Sequence, residues 1–514
     1  MRSERSLLVG VDLGTSAVKV LACAPTGKVV ASASGTYALA TPQPERVEQD
    51  ADEVYRATMR ALHDVLSEVN LRGDDVAAIG FSCAMHGILP VDAHGEPLGP
   101  LVTWMDRRAA SIADLWRADG TADALYAATG APIHPMLPSC KLRWFAEHDP
   151  AYVTSAAKFV SLKELVTFRW TGEWLVDWGM ASGTGLFDFR AKTWHPAALE
   201  AARVDASKLS TPAPPSTAHR RLRASVASAL GLSGETAVVL ASSDGALANL
   251  GVGAVAPGDL ALTLGTSGAI RVVVEDPTLD ERGRTFCYAY DDMKYIVGGP
   301  TSSAGAVLNK LQELFTSEVP PNERFPHAVG LAEASPAGAN GLTVMPFLSG
   351  ERAPYWIAEL RGGIAGLDLS HSRGDVMRAA FESVVFALAT VLDVLRERIA
   401  APTQIRLSGG LTKAPLIRQL VADIFACEAV LANQDEASAF GAAMMAGIAL
   451  GTLQDDRAVA ALLQPLHVHT PDAEMTKRYA TIFARYREVV EATLPLYRTG
   501  RAASKPDQSI GASR

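Results

Sequence analysis

The sequence predicts an α/β protein made of two halves of related fold, on three observations. The opening stretch 7–39 holds apolar, β-rich runs separated by Asp-Leu-Gly-Thr-Ser and then by a Thr-Gly turn, the pattern of a strand meander. Behind it, Val54, Ala57, Ala61, Leu62, Val65, Leu66 and Val69 follow helical spacing across 52–69, and the short apolar run 76–82 reads as a strand. Strands alternating with amphipathic helices imply a layered α/β architecture. The third observation is a repeat: Leu-Gly-Thr-Ser returns at 264–267, 251 residues after its first copy at 13–16, again between two β-rich runs. Two related halves with paired turns facing one cleft is the economical explanation.

Further along the chain, residues 203–237 contain Thr-Pro-Ala-Pro-Pro-Ser-Thr and many short polar residues, the composition of a connecting excursion. A domain boundary is expected there, giving an N-terminal domain over 1–240 and a C-terminal one over 241–500. In the second half, long helical patterns cover 373–399 and 414–427, and the apolar run from Ile405 reads as a strand ending in Gly409 and Gly410. The tail 501–514, rich in Ser, Ala, Gly and charge, is expected to be disordered.

Composition excludes several function classes. At roughly 150 residues per domain, a chain of 514 residues has room for two to four domains. With 48% hydrophobic and 20% charged residues it can bury several cores, which excludes wholesale disorder. A net charge of −9 lacks the basic excess that phosphate-backbone binding requires, so no nucleic-acid partner is expected. The five cysteines lie far apart with no CxxC pair and no histidine cluster, which indicates neither a disulfide framework nor a zinc site. The apolar run Leu7 to Val11 is too short for a signal-peptide core. The charge-free stretch 437–454 carries three glycines and reads as a tightly packed core helix rather than a membrane span. A reducing cytoplasm is the expected location, with no membrane partner.

Two turns carry the first chemical signal. Asp12 precedes Gly14, Thr15 and Ser16, where a glycine lets backbone approach a ligand and hydroxyls sit beside amide donors, an arrangement suited to phosphate. One such turn is usually an ordinary hairpin, but a second copy at Gly265, Thr266 and Ser267 suggests two phosphate loops clamping one triphosphate across a cleft. Gly409 and Gly410, after a strand, could seat a base or ribose, although a plain turn is the default for any glycine pair. Asp244, in Ser242-Ser243-Asp244-Gly245, follows an apolar strand and opens a helix-like run, so helix capping competes with catalysis for its carboxylate.

The run Met136-x-Pro138-x-x-Lys141-Leu142-x-Trp144-Phe145-x-Glu147-His148 resembles the first signature of the FGGY carbohydrate kinases at every specified position. Their second signature is matched by Gly362-x-Ile364-x-Gly366-Leu367 and, after seven intervening residues, Asp375-Val376-x-x-Ala379-Ala380-Phe381-Glu382. With the duplicated turns and the glycine pair, the resemblance covers about 7–490. It implies two actin-like, ribonuclease-H-like domains flanking an ATP cleft, and transfer of the γ-phosphoryl of ATP to a hydroxyl of a small sugar, polyol or sugar acid. By the same resemblance Asp244 is the catalytic base; Asp12 is the natural second carboxylate, expected to hold Mg²⁺ through waters because magnesium keeps part of its hydration shell, with a structural turn as its competing role. Thr15, Ser16, Lys19, Gly265, Thr266, Gly305, Gly409 and Gly410 are then expected around the nucleotide.

The acceptor is expected in the first half. Met85 and His86 face the polyol by resemblance, Met136 joins them, Trp104 offers a flat wall for C–H faces, and Asp106 can accept from hydroxyls. Arg107 is the guanidinium expected to meet a carboxylate, with a surface ion pair as its competing role and Lys163 as the next cation to consider. The strings at 181–188, 243–251 and 265–271 look most like the gluconokinase branch, whereas the Met-His-Gly triplet at 85–87 also occurs in xylulokinases. D-Gluconate is therefore the expected acceptor and D-xylulose the alternative. A regulator, filament or chaperone built on the same fold would leave both signatures unexplained, and a DNA-binding regulator needs a winged-helix module where only 11 residues precede Asp12. A homodimer is compatible with the sequence.

Overall fold

A computed structural model describes residues 7–68 and 75–498; the tail expected to be disordered lies outside them. Two mixed sheets form the scaffold. The first runs Ala218–His219, Ala237–Val239, Val76–Cys83, Leu7–Leu13, Ala17–Cys23, Val29–Thr36 from edge to edge. The second runs Phe286–Ala289, Tyr295–Thr301, Gly268–Val274, Asp259–Leu264, Gln404–Ser408, Glu428–Ala432, Pro465–His469.

Apart from the outermost strands, the two sheets share one topology. In each, three antiparallel strands form a meander whose first member pairs in parallel with a fourth strand, which pairs in parallel with a fifth. The repeated Leu-Gly-Thr-Ser occupies the same first turn of both meanders, closed by Gly14 N–H donating to Ala17 O at 3.1 Å and by Gly265 N–H donating to Ser267 O at 3.0 Å. The likeness read from a four-residue string thus extends to strand order and direction.

The helix expected over 52–69 forms as Ala51–Glu68, with Val54, Ala57, Ala61, Leu62 and Val65 on its buried face. The second-half helices form as Arg373–Arg396 and Pro415–Phe425. The 203–237 excursion is not a linker between the halves. Its strand Thr211–Ala213 pairs with Leu175–Asp177, Ala218–His219 is an edge strand of the first sheet, and Ala224–Leu230 is a helix. Proline and short polar residues there make turns between small elements that the first sheet itself recruits.

The charge-free stretch becomes the helix Ala437–Ala449, buried along most of its length. Although late in the chain, it packs on the first sheet and against the helix Asp244–Val252, which in turn touches the second sheet. These two helices join the sheets. Their approach is close enough to need glycine: a Cβ at Gly10 would lie 1.8 Å from Ala439 O, and one at Gly80 would lie 2.1 Å from Ala442 O. No helix among the described residues is long and apolar enough to cross a membrane, and all five cysteines are free and buried.

Candidate active site

Parallel strands 7–13, 76–83 and 237–239 end side by side, and Cys83 and Ser243 form a last parallel bridge beyond them. Polar residues placed just after these ends therefore converge, as they do at the carboxyl edge of any parallel sheet. From the first sheet come Thr15, Ala84, Met85 and His86, with Trp104 and Met136 beside them. From the second come Thr263, Ser267 to Ala269, Arg271, Phe286, Tyr288, Ile296, Pro300 and Arg352. Ser243 to Ala246 complete a cavity of about 190 Å³.

Asp244 is freed for this cavity by its neighbour. Ser243 is the N-cap of the helix Asp244–Val252, its hydroxyl accepting from Ala246 N–H, so Asp244 is the first helical residue and not the cap. Its Oδ1 accepts from Gly245 N–H at 2.8 Å, and among the described residues its other oxygen has no hydrogen-bond partner. Burial pushes the carboxyl up from the ordinary aspartate range, opposed by the positive field of Arg271, the Gly245 N–H, and the charges of Arg352 and Lys163.

His86 lies in the left-handed region at φ 66°. Nδ1 is 2.6 Å from Gly183 O, so that nitrogen carries the proton and Nε2 is left as an acceptor. Burial holds its pKa down to about 3, and the ring is neutral at physiological pH. Lys141, the lysine of the first signature, is wholly buried and donates to His86 O at 2.8 Å and Thr103 O at 2.7 Å. It thereby ties together the two turns that present His86 and Trp104. Trp104 Nε1 donates to Thr15 Oγ1 at 2.9 Å, joining the cavity wall to the first phosphate-type loop.

The residues expected around a nucleotide gather largely at the end of strand 259–264. Gly305 N–H donates to Gly265 O and Ala306 N–H to Thr266 O, both at 2.9 Å, which sets the helix Gly305–Phe315 against that loop. Gly409, at φ 93°, approaches so closely that a Cβ would lie 2.4 Å from Leu264 O, while the space around Gly410 is open. Ser16 is exposed on the first loop. Lys19, half exposed beside the first loop, meets Glu436 of the second half at 2.6 Å.

Asp12 accepts from Ser82 Oγ at 2.6 Å through one oxygen, and the other is free of hydrogen bonds among the described residues. Burial raises its pKa to about 6, with the Ser82 hydroxyl opposing and the Asp244 charge adding to the rise. No group of three or more His, Cys, Asp or Glu side chains among the described residues could cage a metal. One buried carboxylate with a free oxygen fits Mg²⁺, which keeps several waters and takes other oxygens from substrate phosphates.

A stability effect follows from that carboxylate. Its folded-state pKa exceeds the unfolded value, so its stabilising contribution is present below about pH 4 and is lost as pH rises through about 6. Asp12→Asn, which keeps an acceptor for Ser82, is expected to stabilise the ligand-free protein at pH 8 by on the order of 1 kcal/mol and to change nothing at pH 4. Urea unfolding at the two pH values measures this. Equal stability of both proteins at pH 8 would exclude strain at Asp12.

Two expected acceptor residues are placed elsewhere. Asp106 is fully buried, accepting from Arg108 Nε and Nη2 at 2.8 Å and from Val47 N–H at 2.8 Å. Its oxygens are consumed in anchoring the loop. Arg107 does not line the cavity either; Nη2 lies 3.6 Å from Glu359 Oε1 of the second half. Lys163 is buried behind the site, 2.5 Å from Asp177 and donating to Leu240 O and Ser242 O. It braces the strand ends that carry Asp244.

The cations that do enter the cavity, Arg271 and Arg352, were not expected. Arg271 is the lone charged residue of the apolar strand Gly268–Val274, a signal legible in the sequence. Arg352 stands in Glu351-Arg352-Ala353-Pro354, with no comparable signal. Glu351 positions it: the buried carboxylate accepts from Thr301 Oγ1, Ser303 Oγ, Ser302 N–H and Arg352 N–H, all at 2.6–2.7 Å.

With this geometry in view, comparison with known proteins is decisive. The model of the FGGY family of carbohydrate kinases, N-terminal domain, matches residues 7–251, and that of the C-terminal domain matches 260–450. The chain belongs to the FGGY family of carbohydrate kinases. It is 33% identical over 484 residues to the gluconokinase of Bacillus subtilis, covering 93% of this chain and 94% of that protein. To the xylulose kinase of the same organism it is 28% identical over 492 residues, covering 95% and 97%. Two solved structures from Lactobacillus acidophilus, a ligand-bound xylulose kinase and a gluconate kinase, each superpose with a TM-score of 0.91 at 31% identity, over 96% of this chain and 99% of theirs. The architecture is the actin-like one of these two-domain kinases, with ATP as the phosphoryl donor of the family.

Proposed function

We propose that this kinase phosphorylates D-gluconate at its terminal hydroxyl, giving 6-phospho-D-gluconate and ADP, in a reducing cytoplasm. Likeness sustained along the chain supports the acceptor: identity to the Bacillus subtilis gluconokinase is 33%, against 28% for the xylulose kinase of that organism and 31% for the superposed xylulose kinase structure.

In this reading the hydroxyl oxygen attacks the γ-phosphorus, the bond to the β,γ-bridging oxygen breaks, and the hydroxyl proton passes to Asp244. The transferring phosphoryl has a loose transition state, so alignment and charge neutralisation do most of the work. Asp12 would hold Mg²⁺, which when bound supplies neutralising charge to the β- and γ-phosphates. His86 Nε2 accepts from a sugar hydroxyl, and Trp104 with Met85 and Met136 covers the C–H faces. Gly265, Thr266, Gly305, Gly409 and Gly410 border the nucleotide, with Thr15 and Ser16 opposite.

The alternative acceptor, D-xylulose, is favoured by the xylulose kinase that superposes with equal TM-score. A panel of D-gluconate, D-xylulose and glycerol with ATP and Mg²⁺, read by ADP formation, separates them. D-Gluconate should give the highest kcat/KM; a higher value for D-xylulose would overturn the assignment.

A further inference from the structure

The charged side chains lining the cavity are Asp244, Arg271 and Arg352, and His86 is neutral. Among the side chains that line the cavity two guanidiniums face one carboxylate; the charge of Glu351 also acts on Arg352, but from behind the lining. Both guanidiniums are held for use rather than spent. Arg271 donates from Nη1 to Thr263 Oγ1 at 3.2 Å, and among the described residues neither arginine has a carboxylate within ion-pair distance. Arg352 donates from Nη2 to Thr301 O at 2.7 Å, lies 4.9 Å over the Trp104 ring, and keeps a buried Nε with no hydrogen-bond partner.

The fold makes room for both. Gly245 has no side chain where Arg271 passes: a Cβ there would lie 2.8 Å from Arg271 Nε. Glu351 is consumed by two hydroxyls and two backbone N–H groups, so it fixes the loop under Arg352 without pairing with its guanidinium. Phe286, Tyr288 and Ile296 form apolar walls around these cations. An unmatched guanidinium among such walls is costly with a neutral guest and is satisfied by an anionic one.

We propose that Arg271 and Arg352 form the carboxylate clamp of the acceptor site, and that this pair makes the enzyme select a monoanionic polyol over a neutral one. This rests on the acidic-acceptor reading above. Two planar donor forks from different elements, strand 268–274 and the loop at 351–354, can each meet a carboxylate oxygen, which a single lysine cannot do.

The test compares D-gluconate with D-glucitol, its uncharged six-carbon counterpart, in the wild type and in Arg271→Gln, Arg352→Gln and the two Arg→Lys variants. Each Gln variant should raise KM for D-gluconate by about 30-fold or more, the loss expected when one partner of a buried charge pair is removed. Both arginines also act on Asp244, so any fall in kcat should be shared by the two acceptors, whereas KM for D-glucitol should rise far less than KM for D-gluconate, and each Lys variant should recover part of the KM loss. Calorimetric titration of D-gluconate without nucleotide should show the same weakening, which separates binding from catalysis. Equal rises in KM for the acid and the neutral polyol would overturn the clamp and assign the arginines to Asp244 or the phosphoryl group. Because the arginines sit on different elements, failure of one variant to fold leaves the other to decide. A wild type that prefers D-xylulose overturns the acceptor reading itself, before any variant is made.

Discussion

Asp244→Asn is expected to lower kcat by about 10²- to 10⁴-fold, the contribution of a positioned general base, while ATP binding is nearly unchanged. The amide preserves shape and can still accept from Gly245 N–H, but it cannot take a proton from the attacking hydroxyl. Because Ser243 and not Asp244 caps the helix, the substitution removes no cap, and because burial disfavours the ionised carboxylate, thermal stability at neutral pH should be at or above that of the wild type. Steady-state kinetics with a nucleotide titration check both parts. A variant keeping more than about a tenth of the wild-type kcat would remove Asp244 from the role of base. As the proposed base, Asp244 is also expected to set the acid limb of the pH profile. Burial holds its carboxyl above the usual aspartate range, so activity should fall on acidification at a pH above that range, as the base takes up its proton.

Gly10→Val is expected to destabilise the fold by about 3 kcal/mol or more, at or beyond the upper end of ordinary overpacking. The added Cβ would stand 1.8 Å from Ala439 O, and what blocks it is helix backbone rather than a side chain that can rotate away. Relief requires the helix Ala437–Ala449 to lift from the first sheet, and that helix also packs on the helix whose first residue is Asp244. The damage should therefore appear in urea unfolding and in kcat together. A loss below about 1 kcal/mol would mean that the sheet and helix are not locked at this point.

Much of the candidate site is local in sequence, and that part was legible. The two Gly-Thr-Ser turns, Asp244 after its strand, and the Met85-His86 turn each lie within a few residues of the strand end that presents them. What misled was the pair Arg107-Arg108 beside Asp106. Composition alone suggests cations and a carboxylate available to a sugar, but Arg108 turns inward to consume Asp106 while Arg107 reaches Glu359, 252 positions later. Lys163 was likewise an available cation only until its pairing with Asp177 was seen. Lys141 stood in the quoted signature, yet its use as a tie between two carbonyls depends on turns 55 and 38 residues away.

By itself the sequence determined the α/β class, the duplicated meander and the family through its two signatures, and it placed Asp244, the proposed base, just after a strand end. Each is written in periodicity or in contiguous motifs, where neighbours in the chain are neighbours in space. Tertiary structure alone decided which cations reach the cavity, that the helix 437–449 covers the first sheet rather than its own, and that the 203–237 excursion gives the first sheet its edge strand. The physical reason is pairing. A charge remains available to a substrate only if no closer opposite charge claims it, and a helix packs where its small residues permit the closest approach. Both are settled by residues that only the fold brings together: Gly245 clears Arg271, Glu351 holds the loop of Arg352 through Thr301 and Ser303, and Gly10 admits the helix at Ala439.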